Sequence, residues 1–520
     1  VQHESTPIEH VAQFINWSPD IKSKSMPIRR PAYPTGPGES GKRGEMFKQI
    51  AGKAATRKFI IFVGLTALFL FDHGNLVAES DGFKRPRYSY VLRQNEDWSG
   101  LAGFDDSQTK DFFDPVKYIP LSDDDKFWMS FGGQVRLRLE GWNNFDFNRE
   151  FDDTILLTRI RLHTDIHAGK YLRLFAEMKS AFSTDRDLPG GRRTLDVDEL
   201  ALQQAFADII LPMGDSGKLT LRPGRQMLLY GRQRLVSPLD WSNTMRTWQG
   251  FQGFLDFDQW KISGFWTQFV PVKKYEHNEA DADEPFGGIY ATGMPGTAGI
   301  VLDGYWLYRK RKLLDDERQT IGGRIFGTFG QKRLDYDFEA AYQTGDSGDK
   351  DVRAFMVGSQ FGYRFIETRF KPRVYVGFDY GSGDKDPNDG KVGTFDQTYP
   401  LGHLYLGYID VVGRQNIISP NVGFTLSPLK NLTFEATGLF FWRAREDDAL
   451  YNAGSAALRQ GAPGTSLEVG QEIDILLKYT YNIHTGLLLG YSHFFPGDFI
   501  RQTGPDDPID FLYTSLEFTF

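Results

Sequence analysis

From Thr158 to His167 the side chains alternate without a break. Arg159, Arg161, His163, Asp165 and His167 fall on one face of an extended chain, and Thr158, Ile160, Leu162, Thr164 and Ile166 on the other. A strand with this period of two presents one face to water and the other to an apolar medium. One such strand fits any half-buried antiparallel sheet. Recurrence is what constrains the fold.

Val135, Leu137 and Leu139 alternate with Gln134, Arg136, Arg138 and Glu140, and Leu172, Leu174, Ala176 and Met178 with Arg173, Phe175, Glu177 and Lys179. Leu334, Tyr336, Phe338, Ala340 and Tyr342 oppose Asp335, Asp337, Glu339 and Gln343, while Ile473, Ile475, Leu477 and Tyr479 oppose Glu472, Asp474 and Lys478. Small soluble barrels fill their interiors with apolar side chains, so this many charges on one face requires a wide, wet lumen. The fold class is therefore all-β: a transmembrane, antiparallel, up-and-down β-barrel of 16–18 strands, with 18 the central expectation.

A mean hydropathy of -0.41 with 25% charged residues resembles a soluble protein, but barrel strands conceal their lipid face by alternation. Aromatic residues make up 15% of the chain, including 43 Phe and 23 Tyr, which suits rings placed at two membrane interfaces. No Cys is present, so disulfides and thiol-ligated metals are excluded. With 60 basic against 68 acidic residues, a nucleic-acid surface is not expected.

The long apolar run from Phe59 to Phe71 is shorter than the roughly 20 residues of a transmembrane helix. Lys48, Lys53, Arg57 and Lys58 precede it and the small residue Ala78 follows. This reads as a signal peptide over residues 46–78, cleaved before Glu79. Residues 1–45, rich in Pro, Gly and Ser, read as a disordered leader or a start placed too early. Residues 79–125 lack a sustained period and are expected to form a periplasmic lead-in, with the barrel over 126–520. Long loops are expected at Asp185 to Glu199, Lys273 to Gly304, Gly381 to Gly402 and Asp447 to Val469, where Gly, Pro, Asp and Ser concentrate.

At the end of the chain Leu512, Leu516, Phe518 and Phe520 share one face and Tyr513, Ser515, Glu517 and Thr519 the other. Phe518 and Phe520 resemble the terminal signal by which bacterial barrels engage their assembly machinery. Several local strings resemble the alginate export porins, the outer-membrane channels through which some bacteria release alginate. They include Asn95 to Trp98, Phe113 to Leu121, Leu221 to Gln226, Gly231 to Val236, Ser382 to Pro387, Gly393 to Phe395, Phe441 to Arg443, Gly470 to Glu472 and Tyr491 to Phe495. The resemblance runs from about Tyr90 to Phe520. It implies a monomeric barrel of 18 strands in the outer membrane, a lumen rich in arginine, a polyuronate as passenger and a periplasmic protein that delivers it.

Arginine suits such a passenger, because its planar fork binds carboxylate bidentately and stays charged. The candidates for the conducting lumen are Arg136, Arg138, Arg159, Arg161, Arg173, Arg225, Arg353, Arg373 and Arg443, with Glu177, Asp337, Glu339, Glu472 and Asp474 as acidic partners. Arg225 and Arg443 have the best motif support. Strict alternation sets Arg225 among the apolar positions unless Pro223 and Gly224 make a bulge.

Trp142, Trp248, Trp260, Trp266 and Trp442 are either sugar-stacking rings or interfacial girdle. His163 and His167 share a face but stand roughly 13 Å apart, too far to share a metal. Asp384, Asp386 and Asn388 resemble the start of a calcium loop, but Phe395 stands where its final Glu belongs, so an Asx-rich turn is the better reading. No nucleotide loop, nucleophile elbow or cofactor motif is present, and no catalysis is expected. Two further readings are a porin for small acidic solutes and a structural or adhesive barrel with a plugged lumen.

Overall fold

The computed structural model describes residues 88–89, 91–102, 111–214, 217–295 and 299–520. The expected leader and signal peptide lie outside them. Eighteen strands pair in sequence order and close into an antiparallel barrel. They are β1 (Phe127–Asn143), β2 (Asp153–Ala168), β3 (Leu172–Ser183), β4 (Asp198–Met213), β5 (Gly217–Gln226) and β6 (Trp248–Phe257). Next come β7 (Trp260–Phe269), β8 (Pro285–Gly293), β9 (Ile300–Arg311), β10 (Asp316–Phe329), β11 (Leu334–Ser347) and β12 (Lys350–Arg364). The last are β13 (Arg373–Gly381), β14 (Ile417–Leu429), β15 (Leu432–Arg443), β16 (Glu468–Thr480), β17 (Thr485–Pro496) and β18 (Ile509–Thr519). Closure comes from β1 against β18, in register from Gln134↔Thr519 to Asn143↔Asp510.

The alternation read from the sequence sets the two faces. Leu162, Leu174, Phe338 and Ile473 are exposed on the outside, while Arg159, Glu177, Glu339 and Asp474 are buried inside. Such a continuous apolar exterior does not suit water. A closed barrel pairs its backbone groups between strands, which hydrocarbon requires. Trp260, Trp266 and Trp442 join the outer surface, whereas Trp142 and Trp248 are buried.

Most connections alternate in length, the short links 312–315 and 348–349 at the longer-looped end being exceptions. One end carries tight turns such as 258–259 and 430–431, the other carries loops such as 227–247, 382–416 and 444–467. We refer to these as the turn end and the loop end. The long loop expected over Lys273 to Gly304 is in fact interrupted by β8 and the start of β9. The glycines that suggested a loop serve packing. A Cβ on Gly287 would meet the Trp266 ring at 2.4 Å, and one on Gly288 would meet the Trp306 carbonyl at 2.6 Å, so each marks a close approach inside a strand.

Before β1, residues 91–101 run along the inner wall at the turn end, and Ile119–Pro120 pairs with Met129 and Trp128. That pairing covers the part of β1 that overhangs β18, an edge otherwise left open.

Candidate functional site in the barrel lumen

Two loops fold into the barrel instead of standing above it. The first, 227–247, buries Leu228, Leu235, Val236 and Leu239 inside. A loop inside a protein must have its backbone carbonyls satisfied, and inward arginines of β1 and β2 do this. Arg136 donates from Nη1 to the Asp240 carbonyl (2.7 Å) and from Nη2 to those of Trp241 (2.8 Å) and Ser242 (3.0 Å). Arg159 donates to the Asp240 carbonyl at 2.6 Å and to its Oδ1 at 2.6 Å. Arg138 donates to the Trp241 carbonyl, and its guanidinium lies 3.7 Å from the centre of the Trp241 ring. Asn243 adds bonds to the carbonyls of Thr158 and Phe182.

The second loop, 382–416, meets the first. The Ser237 amide donates to the Tyr399 carbonyl (2.9 Å), the Tyr399 amide to Leu235 (2.9 Å) and the Leu401 amide to Gln233 (2.9 Å). Together the loops make a septum across the lumen. Arg309 and Arg318 donate to the carbonyls of Thr398 and Thr394, and Arg414 pairs with Asp379 at 2.7 Å. Burial opposes ionisation of Asp396, but Arg309, Arg311 and Arg318 outweigh it and hold its carboxyl well below the usual carboxylate range.

Arg136, Arg138 and Arg159 therefore face inward but are covered by the septum, and Arg161 is covered by Val91, to whose carbonyl it donates at 2.9 Å. Arg161 pairs with Glu177 at 3.0 Å. Arg173 holds Asp165 at 2.7 Å, and Arg373 donates through Nε to Asp335 at 2.8 Å. Asp337 and Glu339 both accept from Arg234, at 2.7 and 2.9 Å. Glu472 accepts the Ile409 amide at 2.9 Å, and Asp474 accepts the Ser492 hydroxyl.

Three arginines depart from the expected lining. Arg225 stands on the outer surface, bonded to Gln249 at 2.9 Å. Strand β5 pairs with β6 in unbroken register from Gly217 to Gln226, so the bulge that would have turned Arg225 inward does not form. Arg353 also points outward, beside Asp351 at 2.9 Å. Arg443 faces inward but is buried at the loop end, where it donates to the carbonyls of Glu446, Asp448 and Ser466 and anchors loop 444–467.

The Asp384 segment forms successive Asx turns, with Asp386 Oδ1 accepting the Asn388 amide at 2.9 Å. Among the described residues no group of side chains is arranged to hold a metal ion. Phe518 and Phe520 lie on the outward face at the turn end, where Phe113 stacks on Phe520 with ring centres 4.9 Å apart.

Beside the septum, a recess is lined by Gln360, Tyr375, Asn421, Glu435, Thr437 and Tyr405. Its edges carry the cations that keep contact with water: Arg232 is 36% exposed, Lys478 20% and Arg373 14%. Lys478 holds Glu435 at 2.7 Å, whereas Arg232 reaches Asp337 only at 3.5 Å. Arg232 lies in a loop, where alternation assigns no face. Its signal was the string Gly231 to Val236.

The family model for alginate export matches residues 127–510, and none of the curated proteins compared matches the chain. Among solved structures, three outer-membrane porin barrels of Pseudomonas aeruginosa are similar in fold. OpdO has a TM-score of 0.52 and 12% identity, covering 75% of this chain and 97% of its own. OccK8 (OprE) gives 0.52 and 12%, covering 75% and 98%. OccK2 (OpdF), solved in complex with glucuronate, gives 0.52 and 11%, covering 78% and 98%. At this identity the likeness concerns the fold alone.

Proposed function

As the chain belongs to the alginate export family and is a channel barrel of the bacterial outer membrane, we propose that it conducts an anionic saccharide chain of the polyuronate type. The turn end then faces the periplasm and the loop end the exterior. The observation that carries this reading is the incomplete neutralisation of Arg232. It is the most exposed cation beside the recess, and its acid partner lies at 3.5 Å.

A carboxylate of the passenger would meet Arg232, Arg373 and Lys478 in turn. Each already has an acid partner, at Asp337, Asp335 and Glu435. Passage requires binding strong enough for entry and weak enough for release. Resident carboxylates that compete with the passenger provide the second condition. Gln360, Asn421 and Thr437 supply hydrogen-bonding partners for sugar hydroxyls. In this reading the arginines under the septum, with Glu177, hold the channel's shape and do not meet the passenger.

A second reading, a channel for single acidic sugars, is favoured by the septum, because two loops paired across a lumen narrow it. The glucuronate complex of OccK2 (OpdF) is a fact about that protein and suggests the monomer to try here. Proteoliposomes loaded with labelled oligouronates of graded length test the proposal. Efflux of long oligouronates, but not of a neutral glucan of equal length, supports the chain reading. Efflux confined to the monomer supports the second, and equal efflux of charged and neutral chains contradicts both.

A further inference from the structure

Residues 91–101 lie inside the periplasmic end of the barrel with two 3-10 turns, Arg93–Asn95 and Ser99–Leu101, as their regular structure. They are held mainly by side chains of the wall. Arg161 Nη2 donates to the Val91 carbonyl at 2.9 Å, Arg173 Nη2 to that of Gln94 at 2.6 Å, and Gln204 Nε2 to Gln94 Oε1 at 3.0 Å. Val91 packs with Met227 and Met245 of the septum loop. The following stretch is fastened differently. Ile119–Pro120 is paired to β1, and Asp111 Oδ2 lies 2.8 Å from His484 Nε2.

We propose that residues 91–101 are a removable plug, closing the β1–β4 side of the lumen from the periplasm while residues 111–120 stay anchored to the barrel. Release leaves no charge stranded. Arg161 keeps Glu177, and Arg173 keeps Asp165. Arg93 departs together with Glu96, its partner at 2.8 Å. Removing one member of a buried ion pair is strongly destabilising, and here no pair is split. What is lost is bonds to neutral acceptors, those of Arg93 to the carbonyls of Gly133 and Phe520 among them, which water replaces, an apolar contact with two methionines, which adapt to a changed neighbour, and the packing of Trp98 and Leu101 against Trp128 and Tyr118, which is the main cost of release. The septum loop is different, since its Asp240 is itself an ion-pair partner of Arg159 at 2.6 Å. The plug can therefore leave while the septum stays. This inference concerns the channel and is independent of what passes through it.

The test uses small-ion conductance alone. The chain has no Cys, so Gln94→Cys introduces a unique thiol at a position 4% exposed, reached by a sulfonated thiol reagent only when the plug leaves. After insertion in a planar bilayer, labelling from the periplasmic side should raise conductance, as the periplasmic mouth below the septum widens. Joining Gln94→Cys to Gln204→Cys with a short bifunctional thiol reagent should abolish that rise. As a separate route, Val91→Asp, which sets a carboxylate against Met227 and Met245, should raise conductance without reagent. Complete labelling with no change in conductance overturns the proposal. So does a thiol that never reacts, or a rise that persists in the cross-linked protein.

Discussion

Arg159 Nη2 lies 2.6 Å from Asp240 Oδ1, joining residues 81 positions apart inside the barrel. Both side chains are almost wholly buried, at 0% and 2% exposure. The pair fixes a loop across the lumen and turns an arginine that sequence alone would give to the passenger into a fastening of the septum.

Asp240→Ala removes the acid facing Arg159 and leaves a guanidinium buried without its charge partner. Truncating one member of such a pair costs about 3–5 kcal/mol. The barrel should still form, because its strands do not depend on Asp240. Denaturant unfolding should show a lowered midpoint, and single-channel records should show a noisier, larger conductance as loop 227–247 loosens.

Arg225 and Arg353 are on the outer surface. Arg225→Ala and Arg353→Ala should leave both small-ion conductance and block by oligouronate within error of the parent. A loss of block in either variant would place the passenger's path elsewhere.

Gly224 has φ +135, and a Cβ there would sit 2.3 Å from the Ala205 carbonyl oxygen and 2.7 Å from Phe206 Cα. Neither is a flexible side chain that can move aside. Gly224→Ala should destabilise the barrel by about 1–3 kcal/mol, read as a lower midpoint on urea unfolding. Gly264→Ala, where nothing lies within 4 Å, is the matched control and should cost little.

Burial pushes the Asp410 carboxyl well above the usual carboxylate range. Glu140 and Asp474 act in the same direction, and Arg193 and Arg138 oppose them. His403 Nδ1 stands 3.4 Å away. A carboxyl raised in the folded state binds more protons there than when unfolded. It favours the docked loop fully below the ordinary aspartate pKa, and this contribution fades as pH climbs from that value through the raised one. Docking of loop 382–416 should therefore weaken with rising pH, and Asp410→Asn should flatten the dependence. Protease nicking of the loop as a function of pH measures it.

The strands were legible because alternation is a local property. Leu162 outward and Arg161 inward follow from the period alone, as do Phe338 and Glu339. What the period cannot convey is what covers an inward face, so Arg136, Arg138 and Arg159 read as pore lining when the carbonyls of 240–242 occupy them. Loop residues have no parity, which hid Arg232 and Arg234 although both lie within the string Gly231 to Val236. Motif support for Arg225 ran against its parity, and the unbroken register of β5 favoured parity. Gly287 and Gly288 mimicked a loop because a strand that admits a neighbouring Trp ring needs the same residue as a turn.

Whether Arg232 meets the passenger is read from block of single-channel current by a defined oligouronate in a planar bilayer, compared between the parent chain and Arg232→Glu. The uronate should block the parent where an equally long neutral glucan does not. The reversal should weaken that block about tenfold, the equivalent of losing one charge-assisted contact of about 1.4 kcal/mol, with small-ion conductance retained. An unchanged block in Arg232→Glu, or equal block by both polymers, would contradict the proposed polyuronate path.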